Sequence, residues 1–318
     1  MELVNITDIS QNKYTTKLSN YCLTGSIRNQ MSALRVNILE SDLICCDNML
    51  NTEYDLSLGG ITSPIKWFID QNCSRLGIRL IRYTAHQREQ IVSALAAKQR
   101  VILHIDSRCL TYSPLFKTKI TVHTNHYINL LGLDGSQLYI SDSYIPTLPP
   151  STYEGTIGVS EDYINKSTVF ILEQVNVKQL TENERKNCIE QSIKNYLYPN
   201  SIGIDHYNRL ANDVSSVMNG ESVAEVKSIM MEMASCLVVS GLYASRILFL
   251  ETILHSNLPD EKKTVANRQF TELSTMYMSL KLLLTKCSFS NRKADYLSVL
   301  HRLQAIKELE TDALKNLI

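Results

Sequence analysis

A chain of 318 residues exceeds the size usually served by one hydrophobic core, so two domains are expected. Its 32 Lys plus Arg balance 32 Asp plus Glu, which leaves no field to steer it to nucleic acid or to an anionic membrane. The amino end lacks a basic segment followed by an apolar core, and the most apolar run, Ser235 to Leu250, is short and broken by Arg246. Neither a secretory signal nor a spanning helix is expected, and a soluble cytoplasmic protein follows.

In chain order, Thr24 to Val36 and Ala85 to Lys98 carry helical periodicity. Ile78 to Tyr83, Val101 to Ile105, Lys119 to Val122, His126 to Leu133, Gln137 to Asp142 and Thr168 to Leu172 read as strands. Helices ahead of a sheet suit an α+β domain in which a helical layer covers an antiparallel sheet. Gly59-Gly60 lacks the flanking spacing of a phosphate loop and reads as a turn. Near Gln174 to Gln179 the composition shifts, and the remainder reads as helix. Thr181 and Glu184 make a capping box ahead of Ile189, Ile193, Tyr196 and Leu197, and Pro199 stops that helix. Tyr207, Leu210, Val214 and Val217 mark a second helix. A long apolar third over Val223 to Leu254 belongs at the centre of the bundle or in a subunit interface. Phe270 to Leu284 forms a fourth, and Leu297 to Leu309 a fifth. The expected organisation is a catalytic domain over residues 1–175 and a helical domain over 176–318.

The eight cysteines include no C-x-x-C pair, so neither a disulfide framework nor a zinc site is indicated, and no metal is expected. Only Cys22 has a position that would make a thiol reactive. It precedes an apolar-periodic segment, hence a helix N-terminus, where unpaired N–H groups and the macrodipole favour an anion. A cysteine nucleophile attacks as the thiolate. The plain alternative is a buried cysteine at a helix start.

His126 to Asp142 reads as a hairpin. With a Leu133-Asp134-Gly135 loop, Leu130 faces Leu138, Ile128 faces Ile140, and His126 faces Asp142. A two-residue Asp134-Gly135 loop would instead set Tyr127 opposite Asp142, so the first register is the expected one. A carboxylate beside an imidazole fixes its tautomer and stabilises the imidazolium, making the histidine a base for a nearby thiol. Otherwise His126 merely opens a strand and Asp142 belongs to a polar turn with Ser141 and Ser143. The chain order Cys22, His126, Asp142 is that of papain-like enzymes. His104 and Asp106 end a strand without an expected catalytic role, and His123 should point to the face away from His126. His86, His206, His255 and His301 lie in helical patterns and read as structural.

Cys22-Leu-Thr-Gly-Ser-Ile-Arg28-Asn29, Leu39-Glu-Ser-Asp42-Leu43, the His126 strand ending Gly132-Leu-Asp-Gly135, and Tyr139-Ile-Ser-Asp142 resemble the N-terminal domain of the butirosin biosynthesis protein H family. The resemblance covers most of residues 15–175, and the helical half is similar more loosely. It implies a papain-like acyltransferase with Cys22, His126 and Asp142 as its catalytic residues. Such an enzyme takes an acyl group from the phosphopantetheine thioester of an acyl or peptidyl carrier protein and passes it to a small-molecule amine, with no bound cofactor. A cysteine peptidase or amidase on the same fold, or a non-catalytic binding protein, are the alternatives. Papain-like enzymes commonly place an oxyanion-binding glutamine about six residues before the cysteine; here the chain reads Tyr14-Thr15-Thr16-Lys17. Asn20 or Thr16 are candidates to supply that donor beside the Cys22 N–H. Arg28 and Asn29 match the family pattern and are read as holding the first helix in place rather than touching substrate. The helical half would serve as a lid, a carrier-docking surface or a homodimer interface.

Overall fold

The computed structural model describes residues 14–55, 60–117, 125–147, 150–174, 176–198, 203–219, 229–235, 237, 242–290 and 292–318. The chain is a mixed helical and antiparallel-sheet protein with an all-helical C-terminal region. It divides into two compact units, Met1–Leu43 with Ile69–Gln179, and Ile44–Phe68 with Leu180–Ile318. Composition marks the change near residue 179, but it gives no sign that 44–68 packs with the later residues. Among the described residues no helix is long and apolar enough to cross a membrane, and no cysteine is in a disulfide.

In the first unit, α1 (Cys22–Ala33) begins two residues before the expected helix, so Cys22 occupies its first turn, and it ends where Arg35 turns left-handed at φ 61°. After β1 (Glu53–Asp55), β2 (Gly60–Thr62) and α2 (Ile65–Arg75) come β3 (Ile78–Tyr83), α3 (Gln87–Ala96), β4 (Arg100–Asp106), β5 (Asn125–Asp134), β6 (Gln137–Ile145), β7 (Ser151–Gly158), α4 (Glu161–Lys166) and β8 (Thr168–Gln174). The six strands form one antiparallel sheet in the order β3-β8-β4-β5-β6-β7. Val101, Leu103, Ile105, Ile128, Leu130, Ile140, Val169 and Ile171 make one face of it a continuous core with Ile91 and Ala94 of α3 and Ile164 of α4. Against the sheet α1 also packs: Ser26 Oγ donates to the Tyr127 carbonyl and Gln30 Nε2 to the Val101 carbonyl, each at 3.3 Å. The expected strand over Lys119 to Val122, and His123 beside it, lie outside the described residues.

The β5–β6 hairpin corrects both registers considered from sequence. The loop is Gly135-Ser136, with Asp134 opposite Gln137 and Leu133 opposite Leu138. A bulge at Leu131 then moves Leu130 opposite Ile140 and Asn129 opposite Ser141. Gly135 does take the left-handed conformation, at φ 55°, but as the first residue of a two-residue loop rather than the last of a three-residue one. The physical reason is the core: Leu133 and Leu130 are both buried yet an odd number of positions apart, and only an extra residue lets one strand turn both inward. The same parity sets how His126 meets Asp142. His126 is not directly opposite Asp142; continuing the register past Asn129 and Ser141 puts Ile128 there, and His126 reaches Asp142 diagonally across one face. Without the bulge the two side chains would point to opposite faces.

The second unit contains the β1–β2 hairpin, with Glu53 opposite Thr62 and Asp55 opposite Gly60. Its helices are α5 (Glu182–Leu197), α6 (His206–Met218), α7 (Leu242–Leu254), α8 (Asp260–Ser290) and α9 (Lys293–Lys315), and residues 229–235 are also helical. The Thr181–Glu184 capping box forms as expected. Of the long apolar helix expected over Val223 to Leu254, residues 220–228, 236 and 238–241 lie outside the described residues. Arg246, which interrupts that run in sequence, is wholly buried: its Nε donates to Glu310 at 2.7 Å, its Nη2 to the Tyr196 hydroxyl at 2.8 Å, and its Nη1 to the Leu50 carbonyl at 3.0 Å. Tyr207 also donates to Glu310. His206 is structural, with Nδ1 2.8 Å from Thr52 Oγ1 and 2.7 Å from the Gly203 carbonyl. Burial first, and the Arg246 charge second, push its proton affinity down to about 3.

Candidate active site

Cys22 opens α1, 8% exposed, after Tyr21 in an extended conformation. His126 is the second residue of β5, with 12% of its side chain exposed, and its Nε2 lies 2.7 Å from Asp142 Oδ2. The Cys22 side chain is close enough to act on the ring, raising the proton affinity of His126 alongside Asp142. Because Nε2 is committed to the carboxylate, Nδ1 is the nitrogen left for the sulfur, the reverse of the Ser-His-Asp template in which Nε2 serves the nucleophile. The fold thus brings together the thiol, imidazole and carboxylate of the three residues singled out from sequence.

Asp142 is wholly buried, and its charge is held by three donors. His126 and the Tyr112 hydroxyl, at 3.0 Å, share Oδ2, while the Tyr144 N–H donates to Oδ1 at 3.0 Å. The Tyr112 ring stacks on Tyr153 with centroids 4.0 Å apart, which fixes the hydroxyl in place. No sequence signal marks Tyr112: it lies in irregular chain beyond β4 and meets Asp142 only through the fold. Burial acts to lower the proton affinity of His126, but Asp142 and Cys22 outweigh it and hold the imidazole well above its ordinary value of 6.5. Burial, followed by the negative charge of Cys22, raises the Tyr21 and Tyr127 hydroxyls, which lie within electrostatic reach of the sulfur.

The sequence matches no protein-family model and no curated protein.

The supporting residues fall elsewhere. Asn20 directs its Nδ2 to Glu40 at 3.4 Å, and Thr16 Oγ1 bonds Ser141 Oγ at 2.7 Å and also Glu154. Both side chains are engaged by partners other than Cys22. Arg28 pairs with Glu40 at 3.2 Å and donates Nη2 to the Lys17 and Leu18 carbonyls at 3.1 and 2.8 Å, while Asn29 Nδ2 donates to the Lys17 carbonyl at 3.2 Å. These two bind the chain that leads into Cys22. Ser19 completes the approach by donating its N–H to the Ser143 carbonyl at 2.9 Å.

Other candidates have local roles. His104 stacks on Tyr127 at 4.4 Å, and Asp106 accepts the Arg108 N–H at 2.9 Å, capping the turn that follows β4. His86 is exposed beside Glu89. Among the described residues no group of three His, Cys, Asp or Glu side chains could hold a metal ion.

Proposed function

We propose that the chain is a papain-like acyltransferase that carries an acyl group on Cys22 from a carrier-protein thioester to an amine. What supports this reading is the meeting of Cys22, His126 and Asp142, with the imidazole 2.7 Å from its carboxylate and under the influence of a sulfur at a helix start. The resemblance of Cys22 to Asn29 and of Tyr139 to Asp142 to the butirosin biosynthesis protein H family favours transfer over hydrolysis.

The chemistry follows from the ionisation of the pair. His126 is held protonated to higher pH than a free imidazole, and an imidazolium beside the sulfur favours reaction through the thiolate form of Cys22. The sulfur attacks the thioester carbon, forming the Cys22 S–C bond as the bond to the pantetheine sulfur breaks, and His126 gives its proton to that departing thiolate. An amine then attacks the acyl-enzyme, His126 takes the amine proton, and Cys22 leaves as the thiolate. Asp142 keeps the ring oriented through both halves. Thioester exchange is nearly isoenergetic, and amide formation makes the second half irreversible.

Incubation with an acyl-pantetheine, followed by intact-protein mass spectrometry, tests this. The expected result is one acyl adduct, absent in Cys22→Ala, that discharges faster with added primary amine and yields the amide. Discharge to water alone would indicate a peptidase or amidase, and no adduct would indicate a non-catalytic protein.

A further inference from the structure

The geometry points to Glu40 as the positioning residue of the nucleophile, with Arg28 as the cation that prevents its charge from suppressing Cys22; this rests on the reading of Cys22 as the nucleophile. A helix start needs acceptors for its first N–H groups, and the N-cap side chain ordinarily supplies one. Here the N-cap is Tyr21, which makes no side-chain cap bond. Glu40, at 0% exposure and later in the chain than the helix, instead holds the segment that enters it. Its Oε1 accepts the N–H of Asn20 at 3.0 Å and of Tyr21 at 3.1 Å, as well as the Thr24 hydroxyl. These are the two amides immediately before Cys22, so the carboxylate fixes the direction in which the chain delivers the sulfur.

That placement carries an electrostatic cost. A carboxylate at the helix start opposes a thiolate on the next residue, and burial leaves little solvent to screen it. Arg28, on the same helix, reaches back to pair with Glu40 and leaves the two together neutral. Among the described residues, the titratable groups on which Cys22 acts include His126 and Tyr127 of β5 and Tyr21, with Asp142 of β6 behind the imidazole. The Glu40–Arg28 pair lies outside the triad.

The test follows carboxamidomethylation of Cys22 in the full chain by peptide mass spectrometry from about pH 5 to about pH 9, with far-UV circular dichroism as the check on folding. Arg28→Met should raise the pH of half-maximal rate by about one unit, slowing the reaction about tenfold below that midpoint. Glu40→Gln should move it in the opposite direction, and Arg28→Met with Glu40→Gln should return it to the wild-type position. Opposite signs in the single variants are what a purely structural role would not produce. Should Arg28→Met fail to fold, Glu40→Gln decides alone. A midpoint unmoved in a folded single variant, or moved upward in Glu40→Gln, overturns the charge argument. Glu40→Ala with a native spectrum and an unchanged plateau rate overturns the positioning argument. A wild-type Cys22 that reacts no faster than the other cysteines contradicts the acyltransferase reading itself.

Discussion

Asp142→Asn isolates the charge on which the candidate active site depends. The variant keeps the shape of the side chain and an oxygen that can accept the Tyr144 N–H, but it removes the negative charge 2.7 Å from His126 Nε2. Burial already acts against the imidazolium, and Asp142 is the largest of the influences that overcome it. A charge-assisted hydrogen bond in such a site contributes about 1.5–3 kcal/mol, so the His126 titration should fall by about 1–2 pH units. The sign for stability follows from linkage. His126 is raised in the folded state, so its contribution is complete below the unfolded value of 6.5 and is lost as pH rises through the folded value. The stability gap between wild type and variant should therefore be widest below that value and narrow at alkaline pH. Imidazole NMR over a pH series, with His126→Gln to assign the resonance, reads the first quantity, and urea unfolding at acidic and alkaline pH reads the second. A His126 midpoint equal in the two proteins, or a stability gap independent of pH, would refute the reasoning.

Gly25→Ala should cost about 1–3 kcal/mol by urea unfolding, because a Cβ there would lie 2.1 Å from Ser19 Oγ and 2.4 Å from Ser143 Oγ; an unchanged midpoint would show that the helix start is not packed this closely. In the helical unit, Arg246→Met strands the buried Glu310 carboxylate and should cost about 3–5 kcal/mol, whereas Arg246→Met combined with Glu310→Leu should cost less. Thermal unfolding of both variants checks the order, and a double variant less stable than the single would contradict it. Tyr112→Phe removes one donor from Asp142 and should slow acylation of Cys22 about fivefold in single-turnover measurements, with the fold retained.

Much of the site is local and could be read from residues in order. A cysteine ahead of an apolar-periodic segment marks a helix start, and alternation marks β5 and β6 to within a few residues. What escaped is set by distance in sequence. The bulge at Leu131 answers to core packing on both strands, and no turn signal encodes it. β7 alternates through Tyr153, Gly155 and Ile157, but Ile157 alone is fully buried and a glycine fills the middle inward position, so the apolar signal is weak. α2 carries the signal of Ser63-Pro64 ahead of Ile65, a helix start that sequence reading could have used. Arg246 reads as an interruption because its partner Glu310 lies 64 residues away. Glu40 stands inside a segment whose resemblance was noted, yet its role depends on amides 20 and 19 residues earlier.

The most direct measurement is the rate of carboxamidomethylation at about pH 6, mapped by peptide, comparing Cys22 with the half-buried Cys46. Activation by His126 predicts that Cys22 reacts at least about tenfold faster than Cys46 and falls to its level in His126→Ala. Equal rates in the wild-type protein, or a Cys22 rate indifferent to His126, would contradict the account.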